Sequence, residues 1–382
     1  MKVGIIGLGA RIATLAPRFC RADPELEFSA IADPSPDRLQ VLQELGQSPK
    51  VYRSAEDMLE AERLDMLMVG SVNNQHLDHL RLALETSIPH IFVEKPLVIS
   101  MSDTLELARL AATNNGRDRL IVGLVLRYSP LYRLLRSAQS DGHLGEIMSI
   151  EASEHIAPYH GSFFVRDWRR DSRISGGFML EKCCHDLDLY QGVMGCRPVK
   201  ISSFGGRKKF VPENRPDKAP DYVSEMSPRW GGIEDAFSGQ GDIVDYQCSL
   251  VRYENGATMA FHTNLNVPDE FRRFAVIGTN GMAEGDFIRD YFRVTDADSG
   301  SRLVDIPKVA EGSNKDHYGA DAAMVEDVLS FVKGDASGLP LNFVDALEAG
   351  VCALSMDRAN ALGEVVDLTE FWTQFDEALG SV

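Results

Sequence analysis

Two short stretches carry residues whose types and spacing could do chemistry. In Ile91-Phe92-Val93-Glu94-Lys95-Pro96 an apolar run of strand formers ends in a carboxylate, an amine and a proline. A buried strand of a parallel sheet reads as such a run, and ligands sit at the carboxyl ends of these strands. Pro96 has no N–H for a ladder, so it ends the strand and stiffens the turn that aims Lys95. The second stretch follows Gly176-Gly177 and reads Phe178-Met179-Leu180-Glu181-Lys182-Cys183-Cys184-His185-Asp186-Leu187-Asp188. Wound as a helix from about Leu180, it puts Glu181, His185 and Asp188 on one face and pairs Lys182 with Asp186 on another. An ammonium can hold its charge beside a ligand, and an imidazole can take and return a proton near neutral pH. The plain alternatives are a solvated lysine at a strand end and a capped helix with a surface histidine. Glu181, Cys183, Cys184, His185 and Asp188 also include plausible metal ligands. Helical spacing scatters the cysteines off the Glu181/His185 face, however, and no second Cys/His cluster completes a tetrahedron, so no metal is expected.

The elements that must position these groups begin with a strand over 3–6 that runs into Gly7-Leu8-Gly9-Ala10-Arg11-Ile12-Ala13, followed by a helix over 14–20. Strand, glycine turn and helix start let a pyrophosphate meet backbone N–H groups at the positive end of a helix. Ile12 stands where a third glycine is usual, which predicts a helix set slightly further from its strand. A second strand over 27–32 ends at Asp33, about twenty residues past the glycines, where a carboxylate can accept from a ribose diol and repel a 2′-phosphate. This favours NAD over NADP, with a helix cap before Pro36 as the other reading of Asp33. Helices over 37–45 and 55–62, a short element at 51–52 and a strand over 65–70 follow. That strand ends in Ser71-Val72-Asn73-Asn74-Gln75-His76, placing Asn73 and His76 on the same rim as Lys95. With a helix over 102–114 and a strand over 120–126, the alternation predicts a doubly wound parallel sheet.

A domain boundary is expected at 126–130, giving domains over 1–126 and 127–382, with Arg127 and Tyr128 at the hinge. The second domain starts with a helix over 131–139 and a strand over 147–155, then a loop holding His160, Trp168 and the arginines 166, 169 and 170. Strands over 199–204, 244–253, 257–265, 271–277 and 291–295, with turns at Asn255-Gly256 and Asn280-Gly281, predict antiparallel hairpins in one open sheet. One face of that sheet would meet substrate, the other solvent or a second subunit. The Pro/Gly-rich stretch 205–241, with Trp230, reads as an inserted loop over the pocket or a mobile segment. Helices over 320–332 and 344–362 close the domain, the final ones free to pack back on the first domain. His317 and Tyr318 stand just before them.

The bulk numbers narrow the classes. With 382 residues, 44% hydrophobic and 25% charged, the chain is long enough for two domains around sizeable cores. A formal charge of -18 argues against a nucleic-acid partner, which requires a basic surface. The six cysteines form no CxxC repeat, which suits reduced thiols, and no stretch reads as a leader or a membrane span, so a cytoplasmic location is expected.

In this order, Gly7 and Gly9, Asp33, Asn73 with His76, and Glu94-Lys95-Pro96 resemble the glucose-fructose oxidoreductase / inositol dehydrogenase / rhizopine catabolism (Gfo/Idh/MocA) family. The likeness covers the first domain well and the second more loosely. Val72 replaces a proline common in the family, and Glu181 stands where the family more often has Asp. The resemblance implies a Rossmann domain joined to an α/β domain with a large open sheet, a sugar or cyclitol substrate, and dimers or tetramers. Nucleotide contacts are then expected from Gly7, Gly9, Ala10, Arg11, Ile12, Asp33, Ser71, Asn73, His76, Glu94 and Lys95. Substrate contacts are expected from Lys95, Arg127, Tyr128, Trp168, Glu181 and His185. The expected reaction moves hydride between a carbinol carbon and the nicotinamide of NAD. His185 handles the hydroxyl proton, Lys95 steadies the developing alkoxide and Glu181 orients His185. Redox-neutral sugar chemistry with retained NAD, and a non-catalytic NAD-binding sensor, are the other classes this pattern admits.

Overall fold

A computed structural model describes residues 1–217, 233–309 and 316–380. The stretch expected over the pocket at 205–241 therefore lies partly, and Trp230 wholly, outside the described residues. The chain divides into two compact units. One comprises Met1–Ser129, Gly319–Val351 and the chain from Glu370; the other comprises Pro130–Tyr318 and Cys352–Thr369.

The first unit is built on β1 (Lys2–Ile6), β2 (Glu27–Ala32), β3 (Lys50–Tyr52), β4 (Met66–Val69), β5 (His90–Val93) and β6 (Leu120–Val122). All pair in parallel, in the order β3-β2-β1-β4-β5-β6. This is the doubly wound order whose switch point lies between β1 and β4. The apolar runs are strands because both faces are covered: every residue of β4 is buried. The strand expected to run to 126 stops at Val122, and Val125–Tyr128 forms a tight 3₁₀ turn instead. Gly123 marks the stop, since a Cβ there would lie 3.1 Å from the Glu94 carboxylate.

The segment after Tyr318 returns to this unit. Helix Ala320–Val332 runs parallel to helix Ala10–Ala22 and is pinned at both ends. Arg11 holds Asp321 at 2.6 Å at one end, and Lys333 holds Asp23 at 3.0 Å at the other.

The second unit carries a nine-stranded sheet of β7 (Ile147–His155), β8 (Pro198–Gly206), β9 (Tyr246–Tyr253), β10 (Thr258–Asn264), β11 (Arg273–Gly278), β12 (Gly281–Asp286), β13 (Tyr291–Asp296), β14 (Arg302–Ile306) and β15 (Val366–Asp367). Its order is β14-β13-β12-β11-β7-β10-β9-β8-β15. Every pairing is antiparallel except that of β7 with β10, which aligns Ile150 with Met259 in parallel. The strands β12, β14 and β15 are not foreseen by the sequence reading. β12 reads as a turn because it is glycine-rich, and the glycines answer to packing: a Cβ on Gly281 would meet the carbonyl oxygens of His143 and Thr295 at 2.6 Å. Ile150, Ala152 and Glu154 point to the buried face. Glu151, Ala260 and His262 point to the other, which carries Phe204 at 70% and Leu250 at 59% exposure.

At the end of β7, His155 packs on Phe271 and His262, with ring centroids 4.4 Å and 4.7 Å away. Burial, then the neighbouring His262, push its imidazole down from 6.5 to about 4. A base whose folded pKa is depressed stabilises the fold fully above its unfolded value and loses that contribution as pH falls from 6.5 towards 4. The loss amounts to about 3 kcal/mol at the low end. Melting curves across this window should therefore fall more steeply for the native protein than for His155→Gln, and equal slopes would count against the assignment.

Candidate active site

In the first unit the expected nucleotide residues gather at the carboxyl ends of the strands. Backbone bonds from Gly7 N–H to Ala32 O, Gly70 N–H to Ile6 O and Glu94 N–H to Val69 O, each 2.9 Å, continue the ladder past the strands and fix this rim. Gly7 has φ of 78°, and a Cβ on it would lie 2.5 Å from the backbone of Ser71. A Cβ on Gly9 would lie 2.6 Å from the Gly70 carbonyl. Glycine is therefore required twice by close backbone approach. Helix Ala10–Ala22 starts directly after this turn and so puts the positive end of its dipole there. Asp33 accepts from Leu8 N–H and from Ser35 N–H, both at 2.8 Å, which ties the turn to the end of β2 and leaves lone pairs on both oxygens.

Ile12 is accommodated in an unexpected way. It is fully buried, and its Cγ1 lies where a Cβ on Gly70 would come within 2.3 Å. The missing glycine of the helix is compensated by a glycine at the end of β4.

Three side chains expected at the nucleotide are committed to structure. The Arg11 guanidinium meets Asp321 at 3.0 Å and 2.6 Å and Glu94 at 3.5 Å. Burial raises the Glu94 carboxyl above its ordinary range, opposed by Arg11 and Lys95. His76 is buried with Nδ1 2.7 Å from Pro96 O and Nε2 3.1 Å from Ser71 O, so one imidazole binds the loop after β4 to the segment that carries Lys95. Asn73 is also buried, and Ser71 Oγ lies 2.8 Å from His79 Nδ1. Arg127 and Tyr128 are buried as well; Arg127 pairs with Asp345 at 3.2 Å and donates to Pro340 O. Asp321 and Asp345 sit far along the chain, where no local spacing could have pointed to them.

In the second unit, Met179–Cys183 winds as a π turn before the α-helix Cys184–Met194. The three-and-four spacing assumed across Glu181 and His185 is interrupted there, as at many functional sites. His185 is only 5% exposed, which removes the surface-histidine reading, and Glu181 is buried with it. Glu181 faces Arg169 at 3.6 Å. The Arg169 guanidinium lies 3.9 Å from the Phe163 ring and 4.1 Å from the Trp168 ring, so Trp168 serves as one wall of this cation's seat.

The pairing of Lys182 with Asp186 does not occur. Lys182 binds Glu154 at 3.0 Å, while Arg272 bridges Glu154 at 2.9 Å and Asp186 at 2.8 Å and 2.6 Å. Glu154, Asp186 and Arg272 are buried. Burial pushes the Glu154 carboxyl up but Arg272 and Lys182 outweigh it and hold the group low, whereas at Asp186 burial, opposed chiefly by Arg272, prevails and lifts the carboxyl to about 6. Beyond this network, the ring of His317 lies 6.1 Å from that of His185. Among the described residues no group of three or more His, Cys, Asp or Glu side chains is arranged to hold a metal.

A parallel sheet with a glycine turn closed by backbone contact, an acid at the end of β2 and an ammonium after β5 defines a dinucleotide-binding oxidoreductase class. Residues 1–123 match the NAD-binding Rossmann fold of the Gfo/Idh/MocA oxidoreductases, and residues 132–284 match that family's C-terminal domain; the chain belongs to this family. Myo-inositol 2-dehydrogenase of Thermotoga maritima is 23% identical over 343 residues, covering 89% of this chain and 90% of that protein. Among solved structures, scyllo-inositol dehydrogenase from Lactobacillus casei with NAD(H) and scyllo-inositol superposes with a TM-score of 0.73 at 19% identity, covering 96% of this chain and 99% of that one. Levoglucosan dehydrogenase in complex with NADH and levoglucosan gives 0.77 at 16% identity, covering 97% and 99%. At these identities the structural likeness speaks for the fold.

Proposed function

We propose that this chain is an NAD-dependent dehydrogenase of a sugar, cyclitol or related polyol. The observation that carries the reading is the turn at Gly7 and Gly9, where only glycine lets the chain pass Gly70 and Ser71 and present a helix start to a pyrophosphate. The glycine turn, Asp33 and the rim at Ser71 fit a dinucleotide. Asp33 favours NAD, since its carboxylate can accept from a 2′-hydroxyl and would repel a 2′-phosphate. Bound there, the nicotinamide supplies the hydride acceptor.

The chain's own residues do the rest. His185 accepts the hydroxyl proton as the carbon is oxidised, and Glu181, steadied by Arg169, orients and tunes the imidazole. Lys95 stabilises the alkoxide as it forms. The substrate carries hydroxyls on neighbouring carbons, as in the compounds for which the relatives are named. The test is a screen of inositols, levoglucosan and free sugars with NAD, read at the NADH absorbance band. Net NADH with one of them is the expected result. Turnover of substrate without any change in the band would replace the dehydrogenase with a redox-neutral enzyme, and no turnover at all would leave a sensor.

The open sheet face supports a homo-oligomer. Phe204 on β8 and Leu250 on β9 are diagonal neighbours on it, and a soluble chain seldom leaves two large apolar side chains so exposed together. Light scattering should give a mass of at least twice the 42.2 kDa chain, falling to the single chain in the double variant Phe204→Asp/Leu250→Lys. A monomeric native protein would refute this use of the face.

A further inference from the structure

We propose that His317 reads the substrate, its imidazole hydrogen-bonding the hydroxyl next to the one that His185 deprotonates, so that the second unit recognises a vicinal diol. The proposal rests on the polyol reading above.

Three consecutive residues, His317, Tyr318 and Gly319, have φ of 51°, 60° and 83°. Glycine enters this region freely, whereas a residue with a side chain is strained there, and two in succession persist only where their surroundings hold them. Tyr318 is the residue that is held. Its ring lies 5.5 Å from that of Phe287, and its phenol faces Arg272, the buried guanidinium that also grips Asp186 on the helix of His185. Burial raises the phenol's pKa, so it stays neutral and its oxygen accepts from that cation.

With Tyr318 anchored, the left-handed turn fixes the direction of the preceding side chain. The His317 ring is set 6.1 Å from that of His185, with the planes inclined by 48°. With hydrogen bonds of about 2.8–3.0 Å from each ring, that spacing suits two adjacent oxygens of one polyol better than a single shared one. The two rings also share a foundation: Arg272 supports Tyr318 on one side and Asp186 on the other. A residue kept in strained backbone beside the proton-handling imidazole, on the same buried cation, is placed for recognition.

The test uses NAD-loaded protein, titrated calorimetrically with myo-inositol, levoglucosan and their monodeoxy analogues. His317→Gly removes the imidazole while relieving the backbone, so it should fold with no loss of melting temperature. It should weaken binding of the full polyol about tenfold to a hundredfold, with KM rising and kcat changing less, and leave binding of the analogue lacking the neighbouring hydroxyl unchanged. His317→Asn, which tolerates the same backbone and retains a hydrogen-bonding amide, should recover part of the preference. Equal weakening of both ligands in His317→Gly, or no weakening of either, overturns the assignment while leaving the dehydrogenase reading intact. A native protein that binds none of these polyols overturns both.

Discussion

Lys95→Ala is expected to lower turnover with the best polyol by roughly 10²–10⁴-fold while the dissociation constant for NAD changes little. The lysine follows β5, and the segment it stands on is fixed from two sides. Glu94 is buried against Arg11, and the Pro96 carbonyl is held by His76. Truncation should therefore remove the ammonium without moving its neighbours, so the loss belongs to the chemistry. Because the charge matters most as the alkoxide develops, kcat should fall more than KM rises. Turnover is followed at the NADH band and cofactor affinity by fluorescence titration. Full turnover in the variant would exclude Lys95 from the reaction.

The second large effect is on stability. Arg272→Met should destabilise the protein by about 3–5 kcal/mol, because it leaves Glu154 and Asp186 buried with Lys182 as the main remaining cation among the described residues to offset two negative charges. The pH dependence gives the sign. Without the guanidinium both carboxyls have folded pKa values raised above their unfolded ones, so the penalty is full at neutral pH and is relieved as pH falls through those raised values. Urea unfolding at pH 7 and pH 5 should show a smaller gap between variant and native protein at the lower pH. A difference below about 1 kcal/mol at pH 7 would mean the three groups are not the interdependent cluster described. Changing Asp186 to Leu in the same variant should recover part of the loss, since an apolar neighbour asks nothing of the missing cation.

Much of the first unit was legible because its strands are apolar runs closed by glycine or acid, a pattern that burial on both faces imposes locally. The family likeness rested on the same short stretches. The second unit was harder for reasons that particular residues make plain. β12 carries Gly281 and Gly285 because neighbouring chain crowds it at those two positions, and that crowding is a property of the folded sheet. The parallel alignment of β7 with β10 joins strands far apart in sequence. The expected partner of Asp186 was its helical neighbour Lys182; the actual one, Arg272, comes from the loop before β11, and no helical period points across such a distance. The π turn at Met179–Cys183 is a change of winding without a proline or glycine inside it, so it left no mark in residue type. Arg11 follows the glycine turn and Glu94 ends an apolar strand, positions that point to a ligand, but nothing local points to Asp321, the acid on helix Ala320–Val332 that engages Arg11.

The seam between Ile12 and Gly70 bears on how such turns can vary by descent. Smallness there is a joint property of two segments, so bulk can migrate from one to the other so long as both never carry it at once. A lineage can thus lose the last glycine of its signature and keep a working nucleotide cradle, with the residue that follows β4 as the place where the debt is settled.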